Sequence, residues 1–162
     1  MTTPLATLDP GPRRYAVHRA RRADVPALVA LLRDDPLGRT REGADLGPYE
    51  TAFEAVDRDP AHLLVAVRDA DGAVVATLQL TLLPGLSREG ATRLQVEGVR
   101  VRADARGAGL GAALLTWAVA WGRDHGATLA QLTTDGQRPA ARRFYERLGW
   151  VATHTGMKLP LV

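Results

Sequence analysis

The chain has 162 residues, 46% of them hydrophobic and 24% charged, a formal charge of +3, and no cysteine. That length suits one domain with a sizeable core, and that composition argues against disorder. The missing cysteine excludes a thiol nucleophile, a disulfide framework and a cysteine-ligated metal. No apolar run approaches membrane-spanning length, and residues 1–12 lack the charged and apolar regions of a leader, so a cytoplasmic protein without membrane contact is expected. All but one of the basic residues are arginine, an excess that suits a polyanionic ligand or a solvated surface equally.

Residues 1–12 carry three prolines and little to bury, which predicts a flexible tail ahead of a single domain over residues 13–162. Residues 14–19 alternate around Tyr15 and Val17 as a first strand, and Asp24 is placed to cap a helix through Leu28, Leu31 and Leu32. A loop dense in charge and breakers follows over residues 34–43, then a second helix near 48–57 with Tyr49, Phe53 and Val56 on one face. Residues 63–68 and 73–82 read as strands joined in a hairpin across Asp71-Gly72. A longer connection with Pro84, Gly85 and Gly90 leads into a strand over 92–101, and Leu110, Leu114, Leu115, Ala118 and Trp121 recur at helical spacing after it. Residues 128–134 form the next strand, 139–148 a short helix ended by Gly149, and 150–154 and 157–161 a last pair of strands. The order β-α-α-β-β-β-α-β-α-β-β predicts an α/β fold with a mixed sheet, antiparallel hairpins feeding a parallel β-α-β unit.

The chemistry starts between the central strand and its helix, at Arg106-Gly107-Ala108-Gly109-Leu110-Gly111. Glycines there clear side chains from the orphan N–H groups of the helix's first turn, where the dipole is positive, making a cradle for phosphate or pyrophosphate. A P-loop would need Gly-Lys-Ser/Thr, and Gly111-Ala112-Ala113 supplies neither lysine nor a magnesium-binding hydroxyl. A dinucleotide fingerprint is spelled by Gly107-x-Gly109-x-x-Ala112, but it expects an acid about twenty residues on at the end of the next strand and further β-α units. The nearest acid is Asp124, in the helix's last turn.

Arg106-x-x-Gly109-x-Gly111 resembles the acetyl-CoA pyrophosphate loop of the GNAT-type N-acetyltransferases. A second segment, Ala141-Arg142-Arg143-Phe144-Tyr145-Glu146-Arg147-Leu148-Gly149-Trp150, is similar to the Ala-x-x-Phe/Leu-Tyr-Glu-x-Leu-Gly-Phe run that closes the cofactor site in that family. The resemblance extends over residues 13–161 and is clearest over 92–155. It implies a direct acetyl transfer from acetyl-CoA to an amine, no metal, and a homodimer. It also places Arg106, Gly107, Ala108, Gly109, Leu110, Gly111 and Ala112 against the cofactor's pyrophosphate. A bulge in the central strand would let the backbone of Val99 and Val101 meet the thioester and the pantetheine arm, and Gly98 suits such a bulge. Many members carry Asn seven residues before the tyrosine. This chain has Arg138, with Asp135 and Gln137 as alternative polar groups.

Acetylating an amine of pKa near 10.4 at neutral pH, where about one molecule in 10³ is the free base, calls for a proton acceptor. The resemblance assigns that role to Glu97. From the residues alone Glu97 is an acid between Val96 and Val99 in a strand expected to be buried, in need of a partner or a purpose, so an ion pair with an arginine stays open. The departing thiolate, of pKa near 8.5, is eased by a proton donor, and Tyr145 matches the family's tyrosine for that role. An amphipathic tyrosine capping a core is the other reading.

The acceptor is the least determined part. In the family, the segment between the first two helices and the connection before the central strand shape its pocket. Asp34, Asp35 and Glu42 suit a cationic amine, Arg39 and Arg41 a carboxylate, and together a zwitterionic metabolite; a solvated loop explains them as well. The histidines show no metal-ligand spacing, Ser87 has no nucleophile-elbow context, and the basic clusters lack interleaved aromatics, which argues against a metal, a serine hydrolase and nucleic acid. A CoA-binding sensor without turnover and a nucleotide-binding oxidoreductase are the competing functions.

Overall fold

The structure is a computed structural model that describes residues 3–34 and 38–161. The chain forms two compact units, Met1–Gln131 and Leu132–Val162. The first is built on a six-stranded sheet in the order β1 (Ala6–Leu8), β2 (Tyr15–Arg19), β3 (His62–Arg68), β4 (Val74–Pro84), β5 (Thr92–Val101) and β6 (Ala127–Leu132). Neighbours from β1 to β5 are antiparallel. β6 is reached through helix α5 (Leu110–Asp124), the long crossover that a parallel neighbour requires, so the sheet is mixed as expected. Gln131 Nε2 donates to Gln95 Oε1 at 2.7 Å, which sets β6 beside the first half of β5.

Both faces of the sheet are covered, and β3 shows how. Leu64 and Ala66 join Val25, Leu28, Val29 and Phe53 in a cluster with helices α1 (Val25–Arg33) and α3 (Gly47–Arg58). Leu63, Val65 and Val67, all nearly inaccessible, alternate with them toward the other face. On β5, Leu94 and Val96 are buried, and Leu94 is the residue against which α5 packs at Gly122. A Cβ at Gly122 would stand 2.6 Å from Leu94 Cδ2 and 3.2 Å from Cγ, so helix and strand are as close as a glycine allows. Gly122→Ala is therefore expected to destabilise by about 1–2 kcal/mol, overpacking outweighing the gain in helix propensity of roughly 1 kcal/mol. A urea titration checks it, and a stabilised variant would show that Leu94 can give way.

Most predicted elements form within a residue or two of the expected bounds, and β5 forms over Thr92–Val101 as expected. The β3–β4 hairpin turns at the expected place. Asp69 Oδ1 accepts the N–H groups of Asp71 at 3.1 Å and Ala73 at 2.9 Å, with Gly72 at φ +82°. Four readings need correction. The expected tail holds β1, paired on β2 with Ala6 opposite Val17 and Leu8 opposite Tyr15; a three-residue edge strand tolerates prolines on either side. Asp24 stands at the N-cap position of α1 as expected, but its side chain makes no capping hydrogen bond to that helix. Its carboxylate accepts the Arg21 N–H at 3.0 Å and pairs with Arg68, closing the 3-10 turn Arg22–Asp24 instead. The charged loop contains a single helical turn, α2 (Gly38–Arg41), and the connection before β5 another, α4 (Ser87–Gly90), in which Arg88 and Glu89 take left-handed angles. The last correction concerns the final strands.

In the second unit, α6 (Pro139–Arg147) stops as expected at Gly149, φ +85°, whose N–H returns to the Glu146 carbonyl at 3.0 Å. Among the described residues no strand follows it. Residues 150–154 and 157–161, read as a strand pair, have no ladder, and Val151, Met157, Leu159 and Leu161 are 78–92% exposed. An alternating pattern forms a strand only where it finds a partner edge.

Candidate functional site

Glycines at two points shape the site in the first unit. On β5 the register with β4 runs Gln79 to Glu97 and then Thr77 to Arg100, so β5 spends one residue more than its partner. That is a bulge at Gly98-Val99, and Gly98 stands at φ +60°, the left-handed angle such a bulge asks of its glycine. The second point is the loop after β5. A 3-10 turn at Ala103–Ala105 leads to Arg106, and Gly107 and Gly109 follow at φ +82° and +80°. Gly109 is the N-cap residue of α5 and no side chain caps that helix, so its first N–H groups are presented by bare backbone. Ala108, Leu110, Gly111 and Ala112 complete the loop and the first turn, with Leu110 nearly inaccessible in the core. The glycines thus stand where the sequence placed them, at the entry to α5.

Its surroundings contain residues the sequence did not announce. Pro10, Gly11 and Pro12, from the expected tail, and Arg13 after it line an open cavity of about 410 Å³ together with Asp104, Arg106, Gly107 and Ala108. A Cβ on Gly109 would lie 3.4 Å from both Pro10 Cβ and its carbonyl oxygen. Pro-Gly-Pro read as punctuation, and only the strand that precedes it, β1, brings it here. Arg106 donates through Nε to the Val101 carbonyl at 2.8 Å and through Nη2 to Asp34 Oδ2 at 3.1 Å. Hydrogen bonds from Arg102 at 2.6 and 2.9 Å hold the Asp104 carboxyl below its usual range.

Glu97 departs from expectation in its environment. It is exposed rather than buried, and among the described residues its carboxylate has no hydrogen-bond or ion-pair partner, so the arginine ion pair does not form. It lines a second cavity, of about 200 Å³, walled by α1, α3 and strands β3 to β5. The main-chain positions beside it are partly engaged. Arg100 Nη1 donates to the Val99 carbonyl at 2.8 Å, as Arg106 does to that of Val101.

Among the described residues, the acids of the charged segment have separate partners. Asp34 pairs with Arg106 beside the loop. Glu42 accepts the Tyr49 hydroxyl at 2.8 Å, a bond that holds the phenol above its ordinary pKa. Arg39 and Arg41 are exposed on α2. Asp35 lies outside the described residues. In the second unit, Tyr145 sits on α6 with its ring edge-on to Trp150, centroids 6.3 Å apart, and its carbonyl accepts the Leu148 and Trp150 N–H groups. Arg138 precedes α6, its N–H on the Asp135 carbonyl at 2.9 Å, while the Asp135 carboxylate accepts the Gln137 N–H at 2.9 Å. Among the described residues no cluster of His, Cys, Asp and Glu could hold a metal, and no helix is long and apolar enough to cross a membrane.

Residues 25–150 match the model of the acetyltransferase (GNAT) family. No curated protein matches the chain. Among solved structures, one described as a transcriptional regulator from Bacillus halodurans C-125 is 38% identical, with 91% of this chain and 99% of that one covered and a TM-score of 0.86. Glucosamine-6-phosphate N-acetyltransferase from Arabidopsis thaliana is 16% identical over 91% and 99% of the two chains, with a TM-score of 0.73. An aminoglycoside N-acetyltransferase, AAC(6')-Iy, solved in complex with CoA, is 13% identical over 94% and 98%, with a TM-score of 0.76. These last two share the fold. A family match over most of the chain, joined to a bulged central strand that leads into a glycine cradle, decides the assignment: the chain belongs to the acetyltransferase (GNAT) family.

Proposed function

We propose that the chain moves an acetyl group directly from acetyl-CoA to the primary amine of a small molecule, amino acid or peptide, with residues 13–162 acting as one catalytic domain. The observation that carries this reading is the bulge of β5, beside which stands Glu97, a carboxylate without a partner among the described residues, on the same strand that runs into the glycine loop. The loop suits a pyrophosphate: the α5 cap carries no side-chain hydrogen bond, and the space over Gly107 is open to 4 Å. The CoA complex of the aminoglycoside enzyme of the same fold supports that ligand class.

When bound, acetyl-CoA supplies the activated thioester carbonyl. The N–H groups of the first turn of α5 hold the pyrophosphate, with Arg106 as the adjacent cation. Glu97 receives the proton that the ammonium must lose, directly or through a water. Backbone N–H groups at the bulge would donate to the oxygen on which charge develops. Tyr145, on the strength of its motif, returns a proton to the departing sulfur. With no cysteine in the chain, the acetyl group does not rest on a protein thiol.

Calorimetric titration with acetyl-CoA, with NADH as control, followed by thiol release across an amine panel, tests the reading. Within it, Tyr145→Phe is expected to lower kcat about tenfold with little change in acetyl-CoA affinity; a thiol of pKa near 8.5 leaves more readily than most groups that need an acid. Equal loss of both would assign Tyr145 to packing on Trp150. A second reading, a CoA-binding regulatory module, is favoured by the description of the 38% identical structure as a transcriptional regulator. It predicts acetyl-CoA binding with no thiol release for any amine.

A further inference from the structure

The cavity beside Glu97 is the feature of the site with the most definite chemistry. Leu28, Val29 and Leu32 of α1 and Ala52, Phe53 and Val56 of α3 form most of its wall. Its other polar side chains are committed or neutral. The Thr77 hydroxyl donates to the Val65 carbonyl at 2.7 Å, the Tyr49 hydroxyl to Glu42, and Gln79 places its amide nitrogen 3.4 Å from His62 Nδ1. Among the described residues no arginine or lysine lines it, so a carboxylate or phosphate on the acceptor has no counter-charge there, and Glu97 is the one charged group in the lining. An apolar cavity of about 150 Å³ takes up benzene, so about 200 Å³ is room for a phenyl or branched alkyl group, while its apolar lining offers few partners to the hydroxyls of a sugar.

We propose that the acceptor is a primary amine bearing a compact apolar group, which fills the cavity between α1, α3 and the sheet while its nitrogen meets the Glu97 carboxylate. This rests on the acetyl-transfer reading and replaces the zwitterion suggested by the charged segment, whose Asp34 and Glu42 are engaged elsewhere. Burying each further methylene should raise kcat/KM about fourfold until the cavity is full. Specificity then lies in α1 and α3, and chemistry in β5.

The experiment compares methylamine, propylamine, isopentylamine and phenethylamine with ethanolamine, glycine and glucosamine 6-phosphate as acceptors, and measures phenethylamine binding by calorimetry in the presence of CoA. A rise along the apolar series, with the polar amines at or below methylamine, is the expected result. Ala52 is an exposed position on α3 that lines the cavity, so Ala52→Phe fills the space without disturbing buried packing. It should cut kcat/KM for phenethylamine at least tenfold and put methylamine ahead of it, and Val56→Ala should favour the longest amines. A preference for glycine or the sugar phosphate, or indifference of phenethylamine to Ala52→Phe, overturns the proposal. If acetyl-CoA fails to bind, the acetyl-transfer reading falls instead. Calorimetry then still decides the cavity: saturable phenethylamine binding lost in Ala52→Phe upholds it, and no binding overturns it.

Discussion

Glu97→Gln is expected to lower kcat for amine acetylation about 100-fold while acetyl-CoA affinity stays within about threefold. The substitution keeps the shape of the side chain and removes only its capacity to take a proton. Glu97 is exposed and partnerless among the described residues, so glutamine leaves no buried charge uncompensated and the fold should not register the change. What remains is a reaction that depends on amine already deprotonated in solution. With an aliphatic amine of pKa near 10.4, the residual rate should climb about tenfold per pH unit through the neutral range, and the profile should lie on the alkaline side of the wild type's. A pH–rate profile of kcat/KM for both proteins is the measurement. Superimposable profiles would remove Glu97 as the proton acceptor and leave the bulge as a purely main-chain device.

Such an experiment can be designed from the sequence because its key signals are local. Gly98 inside a run of Val96, Val99 and Val101 marks a bulge by itself, and Gly107 and Gly109 before a helical run mark a cradle, since each reports a backbone angle that neighbouring residues do not alter. What the sequence hid was set by distant contacts. Glu97 looked buried because its strand is apolar, yet its exposure depends on how far α1 and α3, forty to seventy residues upstream, reach across the sheet. Asp34 and Glu42 looked like one charged surface, but Arg106 takes the first from seventy-two residues away and Tyr49 the second. β1 was invisible because three residues between prolines carry no period, and only its pairing with β2 reveals it. The 150–161 segment shows the converse, a pattern with no ladder.

Asp24 is where the same distinction carries the largest expected loss of stability. Its carboxylate is buried, with one oxygen on the Arg21 N–H at 3.0 Å and the other on the Arg68 guanidinium forty-four residues away. Arg68 in turn donates to the Gly72 carbonyl at 2.9 Å, so one chain of bonds ties the start of α1 to the end of β3 and its hairpin turn. Asp24→Ala strands the guanidinium beside a half-buried wall and orphans the Arg21 N–H, which should cost about 3 kcal/mol, the low end for a broken buried pair because Arg68 keeps some solvent. For a chain of this size that is roughly a 10 °C fall in melting temperature. Asp24→Asn keeps one oxygen for Arg21 but turns its NH2 toward the Arg68 guanidinium, so it loses the charge and one of the two bonds, and its cost should fall only modestly below that of Asp24→Ala. Thermal melts of the two variants separate the contributions. A loss below about 1 kcal/mol for Asp24→Ala would mean that Arg68 finds water as good a partner. The functional consequence follows from position. The turn that Asp24 closes fixes where α1 begins, and Leu28, Val29 and Leu32 of that helix wall the cavity beside Glu97. Under conditions where Asp24→Asn remains folded, it should therefore weaken phenethylamine more than acetyl-CoA, because the glycine loop proposed for the cofactor joins β5 to α5 and meets α1 through the Arg106–Asp34 pair at that helix's far end.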